Sequence, residues 1–287
     1  MNSSYVRRLR LARELLELRK ESGLTHAELA AKIGQSRAQI SRLENGHVVD
    51  LDDVIKILEA FGIVDDRWIE IMTIARDASE RGWWESNKAM GPRQALSANL
   101  EAGAVSIREY QMVFIPGLLQ TPEFARARVD AEQALGAGPF SADKSADARL
   151  GRQRMLRRPD GPTYHVVLDE LAVRRAAVPP EVLRAQLLHM AAAVNGSPKI
   201  TAQVLPVSAA IDAYGSPRSA FSIYTFADPK DPRVVTVDTV TDDLVLTDET
   251  DVRRYEALFD RLRQAAMSPE QSIEVLIELA RSMARTS

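Results

Sequence analysis

Gly23, Gly34 and Gly46 cut residues 24–45 into two stretches too short for anything but a pair of brief helices. Thr25-x-x-Glu28 is a capping box. The threonine hydroxyl accepts from one orphan amide and the glutamate reaches back to another, so a helix starts there. Leu29, Ala30 and Ile33 form its inward stripe, and Gly34 ends it by taking a left-handed conformation that a β-carbon penalises. Ser36 caps the next helix, whose Ile40 and Leu43 point inward and which Gly46 closes. Upstream, Leu11, Leu15 and Leu18, with Leu9, Ala12 and Leu16 beside them, predict a longer amphipathic helix ending near Ser22 and Gly23.

Two short helices joined by a glycine turn, with the small Ala30 where they approach, describe a helix-turn-helix. At about 100° per residue, the side of the second short helix opposite Ile40 and Leu43 carries Ala38, Ser41 and Arg42. Arg37 sits at its exposed N-terminal end and Gln39 on its flank. These side chains suit the edges of bases: arginine pairs with guanine, glutamine with adenine, and the Ala38 methyl meets a thymine methyl. The alternative is that Arg37 and Arg42 only solvate a surface helix. Charge is informative here. The whole chain carries 37 Lys and Arg against 40 Asp and Glu. From Arg7 to Arg42, however, nine Lys and Arg stand against four Glu, a local excess of five positive charges.

Residues 10–62 resemble the phage-repressor (XRE-type) helix-turn-helix family. The resemblance is carried by His26-Ala-Glu-Leu-Ala30, Gly34, Ser36-Arg-Ala-Gln-Ile40-Ser41 and Leu43-Glu44-Asn45-Gly46. It implies five helices, the fourth near 51–61 and the fifth near 65–78, and a structural salt bridge between Arg19 and Glu44. It also implies phosphate contacts from His26, Gln35, Ser36 and Asn45, together with the amides around Gly46. The sequence departs from the family at His26, where glutamine is usual. A protonated His26 would add charge, so phosphate binding there would vary with pH. Arg7, Arg8 and Arg10 are a basic arm or solvated charge.

At 287 residues the chain is longer than most single domains. It has no cysteine, which excludes disulfides, thiolate metal sites and cysteine nucleophiles, and its four histidines are too scattered for a metal motif. No apolar run reaches the roughly 18–20 residues of a membrane span, and the N-terminus lacks a signal-peptide core. The expectation is a cytoplasmic protein, associated with the nucleoid when bound to DNA, without metal or cofactor.

Beyond residue 93 the pattern mixes helix and strand. Strand-like runs are VSIREYQMVFI, TYHVVLDE, KITAQVLP, SAFSIYTF and RVVTVDTV. Thr121 and Pro122 open a helix, another spans about 180–195, and two more close the chain, the last capped by Ser268 and Gln271. The paired Trp83 and Trp84 are expected to pack rather than stack on a ligand. IREYQMVFIPGLLQTPEFARA, with VVLDELAVRR, QLLHM, ITAQVLP and YEALFDRLRQAAMSPEQSIEVL, resembles a domain of unknown function, number 5753. That domain follows XRE-type headpieces in many actinobacterial regulators. The resemblance covers most of 85–285 and implies an antitoxin-like regulator, often encoded beside a small partner protein. It departs at 212–226, where this chain has DAYGSPRSAF.

His165, Asp169 and Glu170 hint at acid-base chemistry, but no nucleophile elbow, phosphate loop or metal spacing accompanies them, so they read as structural groups at a strand end and no enzyme is expected. Asp242, Asp243, Asp248 and Asp251 lack a calcium-loop pattern and read as a solvated hairpin. A basic helix over 149–158, with Arg149, Arg152, Arg154, Arg157 and Arg158, either adds phosphate contacts or meets an acidic partner such as the 242–251 surface of another subunit.

The fold expected is α+β overall. An all-α five-helix helix-turn-helix headpiece (1–78) and a linker (79–92) precede a mixed α/β domain (93–287) for dimerisation and partner or ligand binding. The function expected is a sequence-specific DNA-binding transcriptional regulator that reads an inverted repeat in double-stranded DNA as a homodimer. In the alternative, the C-terminal domain mainly binds a small partner protein, encoded by an adjacent gene, or a small-molecule effector.

Overall fold

The computed structural model describes residues 2–86, 90–134, 142–239 and 243–284. Its contacts fall into two compact units, which cross the chain more than once. The first comprises Met1–Ser86, Ala95–Ala104 and Phe226–Pro232, the second Asn87–Gln94, Val105–Thr225 and Arg233–Ser287.

In the first unit, α1 (Ser4–Glu21), α2 (His26–Ile33), α3 (Arg37–Glu44), α4 (Leu51–Ala60) and α5 (Asp65–Ser79) enclose one core. Leu11, Leu15, Leu29, Ile40, Leu58 and Ile71 are among its fully buried members. Side chains begin four of the helices: Ser3, Thr25, Ser36 and Asp50 each accept a bond from an amide of the first turn. α6 (Trp83–Ser86) buries Trp84, while Trp83 stays partly exposed. The rings meet edge to face at 6.0 Å, and a β-carbon at Gly82 would lie 2.1 Å from the Trp84 ring.

α7 (Pro92–Gly103) brings Asn99 to the start of α1. The Asn99 carbonyl oxygen accepts from the Ser3 hydroxyl at 2.7 Å and the Tyr5 amide at 3.1 Å, and its amide donates to the Ser4 hydroxyl at 2.9 Å. Gly103 is required by close approach, since a β-carbon there would stand 2.2 Å from the Ser3 nitrogen.

The same end of α1 corrects the reading of a basic arm or solvated charge. Arg10 is only 4% exposed, and its guanidinium meets Asp228 at 2.5 Å, Glu70 at 3.2 Å and Asp231 at 3.4 Å. Arg7 meets Asp77 at 3.4 Å and both Asp228 and Asp231 at 3.5 Å. Burial holds the Arg8 guanidinium below its usual value, against the pull of Glu85. These arginines face acids within the unit because the early turns of α1 are packed, not projecting.

The second unit is built on a six-stranded sheet of order β3-β2-β1-β4-β5-β6. β1 (Ala104–Gln111), β2 (Thr163–Asp169) and β3 (Ile200–Leu205) pair in parallel. β4 (Phe221–Phe226), β5 (Val234–Val237) and β6 (Leu244–Leu246) pair antiparallel. Parallel neighbours require crossovers. α8 (Pro122–Ala134) and α9 (Ala142–Gln153) fill the first; α10 (Glu170–Arg174) and α11 (Pro180–Gly196) fill the second. α12 (Glu249–Ala265) places Phe259 and Leu262 against Tyr110, Val167, Phe221 and Val235 of the sheet. α13 (Pro269–Met283) begins with the Ser268 and Gln271 capping box. The fold is α+β, and no described helix is long and apolar enough to cross a membrane.

Two expectations for this half need correction, and one strand was not expected. The helix expected over 149–158 is not continuous: α9 stops at Gln153 and a single 3-10 turn, Arg154–Arg157, follows. The Gln153 side chain turns inward, donating to the carbonyls of Gly117 at 3.0 Å and Gln120 at 2.7 Å, and Met155 and Leu156 are buried. Arg149 likewise points inward, to the Ala125 carbonyl at 3.2 Å. The acidic cluster is not simply solvated. Asp243 pairs with Arg93, Asp248 caps α12, and Asp242 lies outside the described residues. β6 went unforeseen, because three residues give too little alternation to see.

His165, Asp169 and Glu170 serve separate partners. His165 shares a hydrogen bond of 2.8 Å with Gln203 and meets the Phe259 ring edge to face. Asp169 caps α10 and accepts from the Tyr110 hydroxyl at 3.2 Å. Glu170 pairs with Arg174 and accepts from the Val207 amide at 2.9 Å.

Candidate nucleic-acid interface

The turn between α2 and α3 is set by backbone conformation. Gly34 has φ +67° with nothing within 4 Å of its missing β-carbon, so glycine is favoured there by the dihedral and not by space. The amides of Gly34 and Gln35 both return to the Ala30 carbonyl. The Ser36 hydroxyl then accepts from the Gln39 amide at 3.1 Å and launches α3. With Ile40 and Leu43 in the core, α3 cannot roll about its axis, and its outer face is fixed.

On that face Arg37, Ala38 and Arg42 are exposed, and Gln39 and Ser41 are half-buried. Arg37 has no ion-pair partner among the described residues. The two glutamines do not hang free. Gln35 and Gln39 both donate to Asp53, Gln39 at 2.7 Å. Asp53 lies on the first turn of α4 and is 3% exposed. The Gln39 carbonyl oxygen in turn accepts from Arg42. A buried carboxylate, an amide and a guanidinium thus form a chain that leads from the core to the outer face of α3.

Below α3, Arg19 binds Glu44 through two nitrogens, at 2.6 and 2.8 Å. His26 closes the same group, its Nε2 lying 2.9 Å from Glu44. Burial works to raise the Glu44 carboxyl, but the bonds from Arg19 and His26 outweigh it and hold the group below its ordinary value. The Asn45 amide donates to the Ser41 carbonyl at 2.6 Å. The backbone amides of Asn45, Gly46 and His47 donate to carbonyls of the last turn of α3.

The structure therefore sorts the residues singled out from sequence into two groups. Arg37, Ala38, Arg42 and the Ser36 hydroxyl are displayed. His26, Gln35, Gln39, Ser41 and Asn45 are anchored to neighbouring groups, Ser41 by accepting from the Asn45 side chain at 3.3 Å, as are the amides around Gly46. Sequence reasoning missed Asp53. Its signal was an acid sharing the α4 face of the core residues Val54, Ile57 and Leu58, a place where a charge needs partners.

Comparison with known families agrees with this geometry. A family model described as Helix-turn-helix matches residues 15–69, the segment holding α2, α3 and α4 whole. No curated protein matches the chain. A second family model, described as Domain of unknown function (DUF5753), matches residues 94–278. That span is well over half of the chain, which thus belongs to the DUF5753 family and carries an XRE-type, DNA-binding helix-turn-helix domain ahead of it.

Proposed function

We propose that the protein is a sequence-specific transcriptional regulator that lays α3 in the major groove. The observation that carries the reading is the outer face of α3, held by two capped helices and presenting Arg37, Ala38 and Arg42 together. Arg42 has five donors, of which one is held by Gln39; the others are available to a guanine edge. Ser41, on the same face, stands next to it. Ser36 keeps its hydroxyl proton for a phosphate. His26, Gln35 and Asn45 reach phosphate only by exchanging the bonds they make here, and Gln39 reads a base only by leaving Asp53.

One short helix reads too few base pairs for genomic specificity, so the protein acts as a homodimer on an inverted repeat, its two copies of α3 about 34–36 Å apart. Residues 93–287 supply the dimer contact. A selection from randomised duplexes with the full chain is the test. A palindromic site should emerge, and Arg42→Ala should weaken binding to it by about 1–3 kcal/mol while relaxing one position per half-site. Absence of any sequence preference ends the reading; equal weakening on every sequence makes Arg42 a phosphate contact instead.

A second reading has the C-terminal domain mainly holding a small partner protein or small molecule, with DNA binding under its control. The open cleft in the second unit supports it. Co-purification with the product of an adjacent gene would favour the protein partner.

A further inference from the structure

The second unit contains a cleft of about 580 Å³ that neither family match explains. This lies within the roughly 300–1,000 Å³ typical of small-molecule sites. The turn bearing Leu118 and Leu119 lines it, as does α11, through His189 and Ala193. Leu156, Arg157 and the segment leading to β3 complete it.

The walls are preformed. The irregular backbone at 115–121 is satisfied by three buried glutamines. Gln186 donates to the Leu119 carbonyl and accepts from the Thr121 amide, each at 2.7 Å. Gln153 holds the carbonyls of Gly117 and Gln120. Gln120 donates to the Ile115 carbonyl at 2.7 Å. On the other side Lys199 donates to the carbonyls of Pro159 at 2.6 Å and Gly161 at 3.0 Å, which ties down that loop. Gly161 is pressed so tightly that a β-carbon would stand 2.1 Å from the Met155 oxygen.

The charge of the cleft has one sign. The cations Arg157, Arg158 and Lys199 line it, beside His189 and with no aspartate or glutamate. The whole chain carries more acid than base, so this is a local concentration. The Lys199 ammonium is met by carbonyl dipoles, and Arg157 is exposed with no ion-pair partner among the described residues. Glu123 attracts His189 from outside the lining, but burial and then the Arg157 charge prevail and hold His189 below its ordinary value. The Arg157 guanidinium, set in a lining without acids, favours an anion. Leu118, Leu119, Leu156 and Ala193 beside it favour a ligand with an apolar body over a hydrated inorganic ion.

We propose that this cleft binds an amphipathic organic anion: a carboxylate on an aliphatic or aromatic body, its head toward Arg157 and His189 and its body against the leucines. The inference goes beyond the DNA reading and is tested without DNA.

The experiment is calorimetric titration of the full chain with decanoate and with 1-naphthylacetate, using decan-1-ol and inorganic phosphate as single-feature controls. At least one carboxylate should bind, and each control should bind more weakly by about tenfold or more, the loss expected when one charged contact or the apolar body is missing. Arg157→Glu and Ala193→Trp should each weaken the carboxylate by about tenfold or more. Arg184→Glu, an exposed charge reversal on α11 outside the lining, should leave it unchanged. Thermal melts of all three variants would show that they fold. Binding of neither carboxylate, phosphate binding as tightly as decanoate, or folded Arg157→Glu and Ala193→Trp variants that bind like wild type would each overturn the proposal.

Discussion

Asp53 shows how much of a recognition surface is decided beneath it. Its carboxylate accepts from Gln35 and Gln39, and Gln39 accepts from Arg42. The chain of bonds restricts a long, rotamer-rich arginine before DNA arrives, and so reduces the ordering that binding must impose. Asp53→Ala should leave two half-buried amides without their acceptor and destabilise the headpiece by about 1–3 kcal/mol. It should also weaken DNA binding by more than the loss of folded protein explains. Chemical denaturation and fluorescence anisotropy on one preparation would separate the effects. Unchanged affinity would mean that Arg42 is set by its own backbone alone. None of this was legible in the sequence beyond an acid on an apolar face. Gln35 and Gln39 lie 18 and 14 positions from Asp53, and no local rule links them.

At the scale of elements the sequence was far more readable, for a physical reason. Caps act over three residues. Thr25 with Glu28, Ser36 with Gln39 and Ser268 with Gln271 each state a helix start within a single turn. β6 is too short to show a period, and the break after α9 is dictated by Gln153 reaching back 36 positions to Gly117. The segment at 115–121 is the opposite of a cap, irregular backbone made tolerable inside the fold by distant side chains. Gln186→Leu should therefore destabilise the second unit, since it removes the partners of the Leu119 carbonyl and the Thr121 amide at about 1–3 kcal/mol each. Urea unfolding with intrinsic fluorescence would measure it, and a loss below about 1 kcal/mol would mean that water or a rearranged turn replaces the amide.

At the scale of the whole molecule, counting charges along the sequence overstated the basic footprint. Of the nine cations between Arg7 and Arg42, Arg7, Arg10 and Arg19 are paired with acids, so the surface offered to DNA is narrower and rests on α3. Titration should show in stability as well. Burial holds His165 below its usual value, despite the bond it makes to the Gln203 carbonyl oxygen. The unfolded chain then takes up a proton at about pH 6.5 while the native one resists. His189 is lowered in the same direction. The stability these groups contribute is complete above about pH 6.5 and lost as pH falls toward their folded values. Melting temperature should be level from pH 8 to 7 and decline toward pH 5, with a shallower decline in His165→Gln. Glu44, held low, adds a loss only below about pH 4.3. Asp231 and Asp238 are raised by burial and act with the opposite sign near that range. An equal decline in wild type and His165→Gln would remove His165 from this account.

A fragment of residues 1–86 should be less stable than the same region in the full chain, since Arg10 would keep Glu70 but lose Asp228 and Asp231; equal protection of α1 amides from hydrogen exchange in both would contradict this. The order of synthesis gives that dependence a further meaning. The helices of the headpiece leave the ribosome with Glu70 and Asp77, yet Asp228 and Asp231, the other acids that face Arg7 and Arg10, emerge only later, with Phe226–Pro232. A polypeptide cut short by a premature stop codon before that loop would carry every residue of the recognition helix on a headpiece whose half-buried Arg7 and buried Arg10 lack two of their counter-ions. Truncated translation products would thus be marked for proteolysis before they could compete with the intact protein for its sites.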